Sequence, residues 1–117
     1  MSFRNPGTMR ITRSSTEVSA AEPTINSDNV GLHSITALAA AITSFTTNLS
    51  GTPVNGQRLT IRIKDDGTGR AIAWGASFES SGATLPTTTN ASKLLTVGLI
   101  YNSVSSKWGC VAVSEEA

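Results

Sequence analysis

The sequence predicts an all-β fold: a single antiparallel β-sandwich, with a jelly roll as one topology that fits, preceded by an extended N-terminal arm. The chain has 117 residues, which is enough for one hydrophobic core. Apolar residues make up 38% and aromatic residues 5% of the chain, and this composition favours short strands and turns over a helix bundle. From Asn26 onward, short β-type runs alternate with turn residues, as in a sandwich or barrel.

Residues 1–25 form the predicted arm, and residues 26–117 form the predicted sandwich domain. The apolar residues of the arm follow no sustained period, and a Glu-Pro break interrupts the segment before the domain begins. Extended segments find main-chain partners on open sheet edges. We therefore expect the arm to add an edge strand to its own sheet or to that of a neighbour, through Met9, Ile11 and Val18.

The strongest strand signal lies between Gln57 and Trp74. Over residues 58–64 the apolar side chains alternate with charged or hydroxylated ones, so this strand should have one face in water. The DDGTG turn that follows predicts a tight hairpin, with residues 70–74 as the returning strand. An Ala-rich run at 37–41 favours a helix, but the Thr-rich residues after it limit the prediction to at most one helical turn.

The second half of the chain predicts a long loop and two further strands. The polar residues 75–92 form a loop of unusual length for so small a domain, and long ordered loops often carry function. Strands are predicted over 94–101 and 107–113, with a turn between them and a solvated tail at 114–117.

Charge and cysteine content exclude several classes of protein. The formal net charge is +1, so we expect neither nucleic acid nor a membrane surface as a partner. The single cysteine, Cys110, permits no intrachain disulfide, which fits assembly in a cytoplasm, and its alternation with Trp108 and Ala112 predicts a buried, inert thiol. No apolar stretch approaches the roughly 20 residues of a membrane span, and the first residues lack the apolar region of a signal peptide.

No catalytic or metal-binding constellation is visible in the sequence. His33 is the only histidine, and without a recognisable nucleophile or second ligand nearby it is predicted to lie on the surface or at a strand edge. Asp65, Asp66 and Thr68 carry oxygens suited to Ca²⁺, but the full calcium-loop pattern is absent, which favours plain turn chemistry. Glu79 is an isolated acid without the second carboxylate of a glycosidase. We therefore expect no enzyme activity, no metal and no cofactor.

The aromatic residues leave two interpretations open. Trp74, Trp108, Phe78 and Tyr101 are the residue types of a sugar-binding platform, yet both tryptophans lie within strand runs and are predicted to pack in the core. Phe78 lies close to a loop and is the better candidate for a contact with a partner.

Short motifs lie in order along residues 26–115: ITALAAAIT at 35–43, GTP at 51–53, NGQ at 55–57, IRIKD at 61–65, GT at 67–68, IAW at 72–74, LPTTT at 85–89, GLIYN at 98–102 and KW at 107–108. As a set, in this order and spacing, they strongly resemble a β-rich module of tailed-bacteriophage virion proteins. That module occurs in head decoration proteins and in tail-fibre or tail-tip proteins. The resemblance leaves residues 1–25 unaccounted for.

The resemblance implies a virion structural protein with a compact β-sandwich and no known catalytic residues. A small single domain is typical of capsid decoration or cement proteins, which sit on the capsid as trimers or dimers. We therefore expect a partner in the major capsid protein, self-association as a homo-oligomer, and location on the virion surface after assembly in the bacterial cytoplasm. The alternative is a tail-fibre or tail-tip module that binds a host-surface glycan. The predicted partner contacts are in the arm and the long loop: Phe3, Met9, Ile11, Val18, Phe78 and Leu85.

Overall fold

The computed structural model of the chain describes residues 13–116. This part of the chain is all-β, as predicted, with eight strands and no helix, so nothing in it could cross a membrane as a helix. The helical turn that the Ala-rich run favours is not formed. The strands are β1 (Ser14–Glu17), β2 (Ile25–Asn26), β3 (Leu32–Leu38), β4 (Leu49–Ser50), β5 (Arg58–Asp65), β6 (Phe78–Ser80), β7 (Leu95–Asn102) and β8 (Lys107–Glu115).

Six strands form one mixed sheet in the order β1-β3-β5-β7-β8-β6. The pairs β5/β7 and β7/β8 are antiparallel, as expected, but β1/β3, β3/β5 and β6/β8 are parallel. Parallel pairing needs a crossover, and the crossovers from β1 to β3 and from β3 to β5 contain β2 and β4, which pair with each other in a second, parallel sheet. The first half of the chain is therefore wound like two stacked coils of a solenoid.

The buried face of the main sheet is built on β5. Leu59, Ile61 and Ile63 are each 0% exposed, whereas Arg58 and Arg62 on the opposite face are in water. The predicted alternation is thereby confirmed. Strand β7 continues the same face, because its buried residues lie opposite those of β5 in the antiparallel register.

An aromatic cluster packs in the core next to this sheet. The rings of Phe45 and Trp74 stack with centroids 4.5 Å apart, and Phe78 lies 5.2 Å from Trp74. Trp74 is 6% and Trp108 2% exposed, so the core placement predicted for both tryptophans is confirmed. The buried indole nitrogen of Trp74 donates to the carbonyl oxygen of Pro86 at 2.8 Å, which ties the long loop to the core.

The prediction of a hairpin after β5 is wrong. Strand β5 pairs with β3 and β7, and the segment that should have returned along it forms only single bridges, from Ala71 to Thr88 and from Ile72 to Ile42. The turn residue Gly67 does adopt a positive φ, of 108°. The turn is nevertheless held by the carboxylate of Asp65, which draws it toward the loop before β7 instead of back along β5.

Strand β8 contains a bulge that the alternation did not predict. In its register with β7, Cys110 lies opposite Leu99 and Ala112 lies opposite Gly98, so Val111 is the extra residue. As a result Trp108 and Cys110 are buried but Ala112 is exposed, and the three do not share one face. Burial raises the pKa of the Cys110 thiol, whose sulfur lies 3.8 Å from the carbonyl oxygen of Ala112. The strand also extends to Glu115, into the predicted tail.

Asp65 is a buried carboxylate, 4% exposed, that accepts three hydrogen bonds. They come from the backbone N–H of Ser92 at 2.7 Å, the hydroxyl of Thr89 at 2.7 Å and the N–H of Gly67 at 3.0 Å. Burial alone would raise the pKa of Asp65, but these hydrogen bonds and the charge of Arg70 outweigh it, and the pKa is lowered from 3.8. The ionised form thus fastens the end of β5 to the loop before β7.

We predict that Asp65→Asn lowers the free energy of unfolding by about 1 to 3 kcal/mol near neutral pH, because it removes the negative charge that accepts the N–H groups of Gly67 and Ser92 and sets an amide NH₂ against the hydroxyl of Thr89. A lowered pKa in the folded state stabilises the fold above the ordinary value of 3.8 and loses that effect as the pH falls through the folded value. The difference in the free energy of unfolding between Asp65→Asn and the unmodified protein should therefore decrease as the pH falls from about 7 to about 2. Urea unfolding followed through tryptophan fluorescence measures it. Asp66→Asn is the control, and a difference for Asp65→Asn that is independent of pH would contradict the assignment.

Candidate functional site

The structure places the predicted contact residues of the arm only in part, since Phe3, Met9 and Ile11 lie outside the described residues. Strand β1 is the edge strand of the chain's own sheet, paired with β3, so the described part of the arm joins the same molecule. Val18 follows β1 directly and is 66% exposed, and its carbonyl oxygen accepts a hydrogen bond from Ala37 at 2.9 Å. Its side chain is open to a partner.

The contact predicted for Phe78 is wrong. Its side chain is 5% exposed and packs against the aromatic cluster, because β6 pairs in parallel with β8 and places Phe78 beside the buried Trp108. Leu85 is partly buried against the same core. The long loop therefore turns its large apolar side chains inward, and neither residue forms an open contact surface.

A buried histidine lies beside the edge strand, whereas the sequence predicted a histidine on the surface or at a strand edge. His33 on β3 is 2% exposed, and both of its ring nitrogens have partners on β1. Nδ1 lies 2.7 Å from the hydroxyl oxygen of Ser15, and Nε2 lies 2.9 Å from Oε1 of Glu17. The parallel register brings this about, because it sets Ser15 beside His33 and turns Ser15, Glu17 and His33 to one face.

Serine, histidine and a carboxylate are the components of a hydrolase triad, so the geometry of this trio matters. When Glu17 is ionised, Nε2–H donates to it and Nδ1 accepts from the Ser15 hydroxyl. Hydrolysis also requires a substrate recess beside the serine and donors for an oxyanion. None of the three residues lines the two recesses beside Ser27 or the recess beside Lys64. The contacts that the trio makes serve to fasten β1 to β3.

The loops at one end of the main sheet form the more open candidate site. We call this the loop end: the turns at 27–31, 53–57 and 102–106, which meet where β5 begins and β7 ends. The N–H of Ser103 donates to Oδ1 of Asn55 at 3.0 Å, and the N–H of Gly56 donates to the carbonyl of Tyr101 at 2.8 Å. Two adjacent turns are thus held as one unit.

Two large apolar side chains protrude from this unit. Val54 is 67% and Val104 is 93% exposed, although neither turn has a structural need for an apolar residue. A single exposed valine is ordinary on a protein surface, but these two are the sequence neighbours of Asn55 and Ser103, whose hydrogen bond joins the two turns. The sequence analysis missed both, because a valine within a turn follows no strand or helix period.

A groove of about 520 Å³ opens at the loop end, lined in part by the turn at 27–31 and by Gln57. Gln57 shapes its wall, since its side-chain amide donates to the Ser27 carbonyl at 2.8 Å and accepts from the Val54 N–H at 3.1 Å. The carboxylate of Asp28 accepts a hydrogen bond from the N–H of Thr52 at 2.9 Å. The lining residues are Arg13, Ser27, Asp28, Asn29, Val30, Gly31, Gln57, Arg58 and Thr60.

A smaller recess of about 190 Å³ lies on the other side of Ser27. Its aromatic wall is the half-buried Tyr101, whose ring meets that of Trp108 edge-on at 5.2 Å. Hydroxyl groups of Ser50, Ser77 and Ser106 belong to residues of the same lining. An aromatic ring among hydroxyls suits a sugar, and two members of the predicted aromatic platform, Tyr101 and Trp108, line this recess.

Gly51 closes this smaller recess and must be a glycine. Its φ is +112°, and a Cβ at this position would collide with the hydroxyl of Ser27 and lie 3.0 Å from the backbone nitrogen of Asp28. Gly56 in the neighbouring turn also has a positive φ, of +86°, but a Cβ there would meet nothing.

Among residues 13–116, no group of three or more His, Cys, Asp or Glu side chains is placed to hold a metal ion. Comparison of the chain with protein-family models, with curated proteins and with solved structures finds no match. Functional inference therefore starts from the surface features described above.

We predict that His33→Ala lowers the free energy of unfolding by about 2 to 4 kcal/mol, because it opens a cavity and removes both ties to β1. Ser15→Ala and Glu17→Ala each remove one tie and should cost about 1 kcal/mol. Amide hydrogen exchange should accelerate in β1 in all three variants, while β7 remains protected in the two single-tie variants. Unchanged exchange in β1 would show that the trio does not fasten the edge strand.

Gly51→Ala and Gly56→Ala form a matched pair, since both place a Cβ at positive φ. We predict a loss of about 1 kcal/mol for Gly56→Ala, from backbone strain alone, and a loss larger by about 1 to 3 kcal/mol for Gly51→Ala, from strain plus the collision with Ser27. Urea unfolding measures both values. Equal losses would mean that the turn at Gly51 is not packed against Ser27.

Proposed function

We propose that the chain is a non-enzymatic virion structural protein that decorates or cements the head of a tailed bacteriophage, with the major capsid protein as its partner. The observation that carries this proposal is the pair of exposed valines on the loop end. They stand on turns held to each other and to a rigid sheet, so little conformational freedom is lost when they bind.

The energetics suit a repetitive lattice. Complete burial of a valine contributes roughly 1.5 to 3 kcal/mol, so two valines supply a modest affinity for one site. A capsid offers the same site many times, and an oligomer that engages several sites at once multiplies that affinity without new contacts. A small apolar contact is therefore sufficient for full occupancy when the protein is a dimer or trimer.

Self-association is supported by an open strand edge. On the side away from β7, β8 pairs with β6 only from Trp108 to Cys110, so within the described chain Val111 to Glu115 have no strand neighbour there. Val111 and Val113 in this segment are 43% and 41% exposed. We propose that this edge contributes to a homo-oligomer, and that the crossovers facing the main sheet act as the second layer of a sandwich.

A tail-fibre or tail-tip module that binds a host glycan is the second candidate. The recess beside Tyr101 supports it, because an aromatic ring next to hydroxyl-bearing residues is a common arrangement for binding a sugar. Binding of the purified protein to host cells, with none to heads, would favour this candidate.

The decisive variant is the double change Val54→Asp and Val104→Asp. We predict that it lowers occupancy on heads of the encoding phage at least tenfold, because the contact would have to bury two carboxylates in place of two valines. Occupancy is measured by quantitative mass spectrometry of heads purified after incubation with the protein. Both positions are exposed, so circular dichroism and unfolding should be unchanged.

Val18→Asp is the matched control, since Val18 is 66% exposed and lies at the opposite end of the main sheet. It should bind heads as the unmodified protein does. Full occupancy by the double variant would refute docking through the loop end, and loss of binding by Val18→Asp alone would move the contact to the arm.

A further inference from the structure

The exposed face of the main sheet carries a row of positive charge along its middle. Strand β5 is the third of six strands, and its outward residues include Arg58, Arg62 and Lys64. Arg58 and Arg62 are separated by about 13 Å, four residues of extended chain. Arg62 lies between Ser34 of β3 and Thr96 of β7, so hydroxyl groups flank the row on both sides.

Two recesses open on this face, one at each end of β5. The groove of about 520 Å³ at the loop end contains Arg13, Arg58 and Thr60. The second recess, of about 260 Å³, is lined by Ser34, Ile35, Thr36, Arg62, Lys64 and Leu94. Each recess offers two cations and at least one hydroxyl, and the groove at the loop end is also lined by the carboxylate of Asp28, which accepts hydrogen bonds from the N–H and hydroxyl of Thr52.

These cations are not neutralised within the described chain. Among residues 13–116, Arg13, Arg58 and Arg62 form no ion pair, and Lys64 has only a loose one, 3.7 Å from Glu116 with both side chains nearly half exposed. Such a pair is worth little in water and yields readily to a ligand. Arg70, in contrast, is paired closely: its Nη2 lies 2.9 Å from Oδ1 and 2.8 Å from Oδ2 of Asp66.

Several acidic side chains that could have neutralised the row are engaged elsewhere. Glu17 is bound to His33, Asp65 is buried in its turn, and Glu79 accepts the Ser105 hydroxyl at 2.7 Å. The net charge of +1 therefore conceals an uneven distribution, with an excess of positive charge on one face, where Asp28 and Glu116 only partly offset the four cations.

The chemistry of this face selects among anionic ligands. A guanidinium binds a carboxylate or phosphate through paired hydrogen bonds, and the hydroxyls around it suit a polyhydroxylated chain. Single-stranded nucleic acid is bound by stacking its bases on aromatic rings, and the outward residues of the described strands in this sheet include none. A flat protein surface would not enter the two recesses.

We propose that the exposed face of the main sheet binds a linear polysaccharide that carries carboxylate groups, with Arg58 and Arg62 as its two anchors. The chain runs along β5 from the groove at the loop end to the recess beside Lys64, and its hydroxyls meet Thr60, Ser34 and Thr36. This is a second binding function, on a different surface from the valines that dock on the head, so either can fail without the other.

The test uses polygalacturonate as the probe and isothermal titration calorimetry of the full chain at low salt. Arg58→Gln and Arg62→Gln should each weaken binding about tenfold, because each loses a charge-assisted hydrogen-bonded pair. Lys93→Gln is the matched control, since it removes one positive charge from an exposed loop residue that lines neither recess, and it should weaken binding less than twofold.

Three results would overturn the proposal. They are no binding of polygalacturonate by the unmodified protein, equal weakening by Lys93→Gln and the two arginine variants, and binding of neutral dextran or of single-stranded DNA as tight as that of polygalacturonate. Both arginines are exposed, so the variants should unfold at the same urea concentration as the unmodified protein, which separates loss of binding from loss of fold.

Discussion

The fold depends on the register of β5, which is buried on one face and flanked by a parallel and an antiparallel neighbour. Leu59, Ile61 and Ile63 are fully buried, and each contributes roughly 1.5 to 3 kcal/mol. A slip of one residue against β3 or β7 would carry these three side chains into water and bring Arg62 into the core. The same alternation that fixes the register also produces the exposed cationic row, so the core and the proposed ligand face have one origin.

Two buried polar groups hold the periphery to this central strand. Asp65 secures the turn after β5 to the loop before β7, and His33 secures the edge strand β1 to β3. Both are satisfied by hydrogen bonds to short segments that bury few apolar residues themselves. A segment such as β1 buries little hydrophobic area, so its position depends on these hydrogen bonds. The buried polar residues thus specify where the peripheral segments lie, while the apolar residues stabilise the centre of the fold.

The sequence predicted the local structure better than the long-range pairing. Alternation identified β5 and its wet face, because that signal is contained within one strand. It could not show that β5 pairs with β3 in parallel, since the turn after Asp65 has the residues of a hairpin and is redirected by contacts with Thr89 and Ser92, far along the chain. His33 was assigned to the surface or a strand edge for the same reason: its partners become neighbours only through the parallel register. Phe78 was misplaced because pairing of β6 with β8 turns it inward, and Val54 was missed because turns have no period.

The two proposed binding surfaces adjoin each other at the turn that carries Val54. Val54 lies on the turn that leads through Gln57 into Arg58, and Gln57 contacts the backbone of Val54 directly. A coat protein seated on the valines would therefore come close to the groove that contains Arg58, whereas Arg62 lies about 13 Å further along β5. Docking on the head should shield the first anchor and leave the second open, so the free protein would hold an anionic chain at both anchors and the docked protein at one. If both proposals hold, docking and anion binding oppose each other through Arg58, without any change of shape.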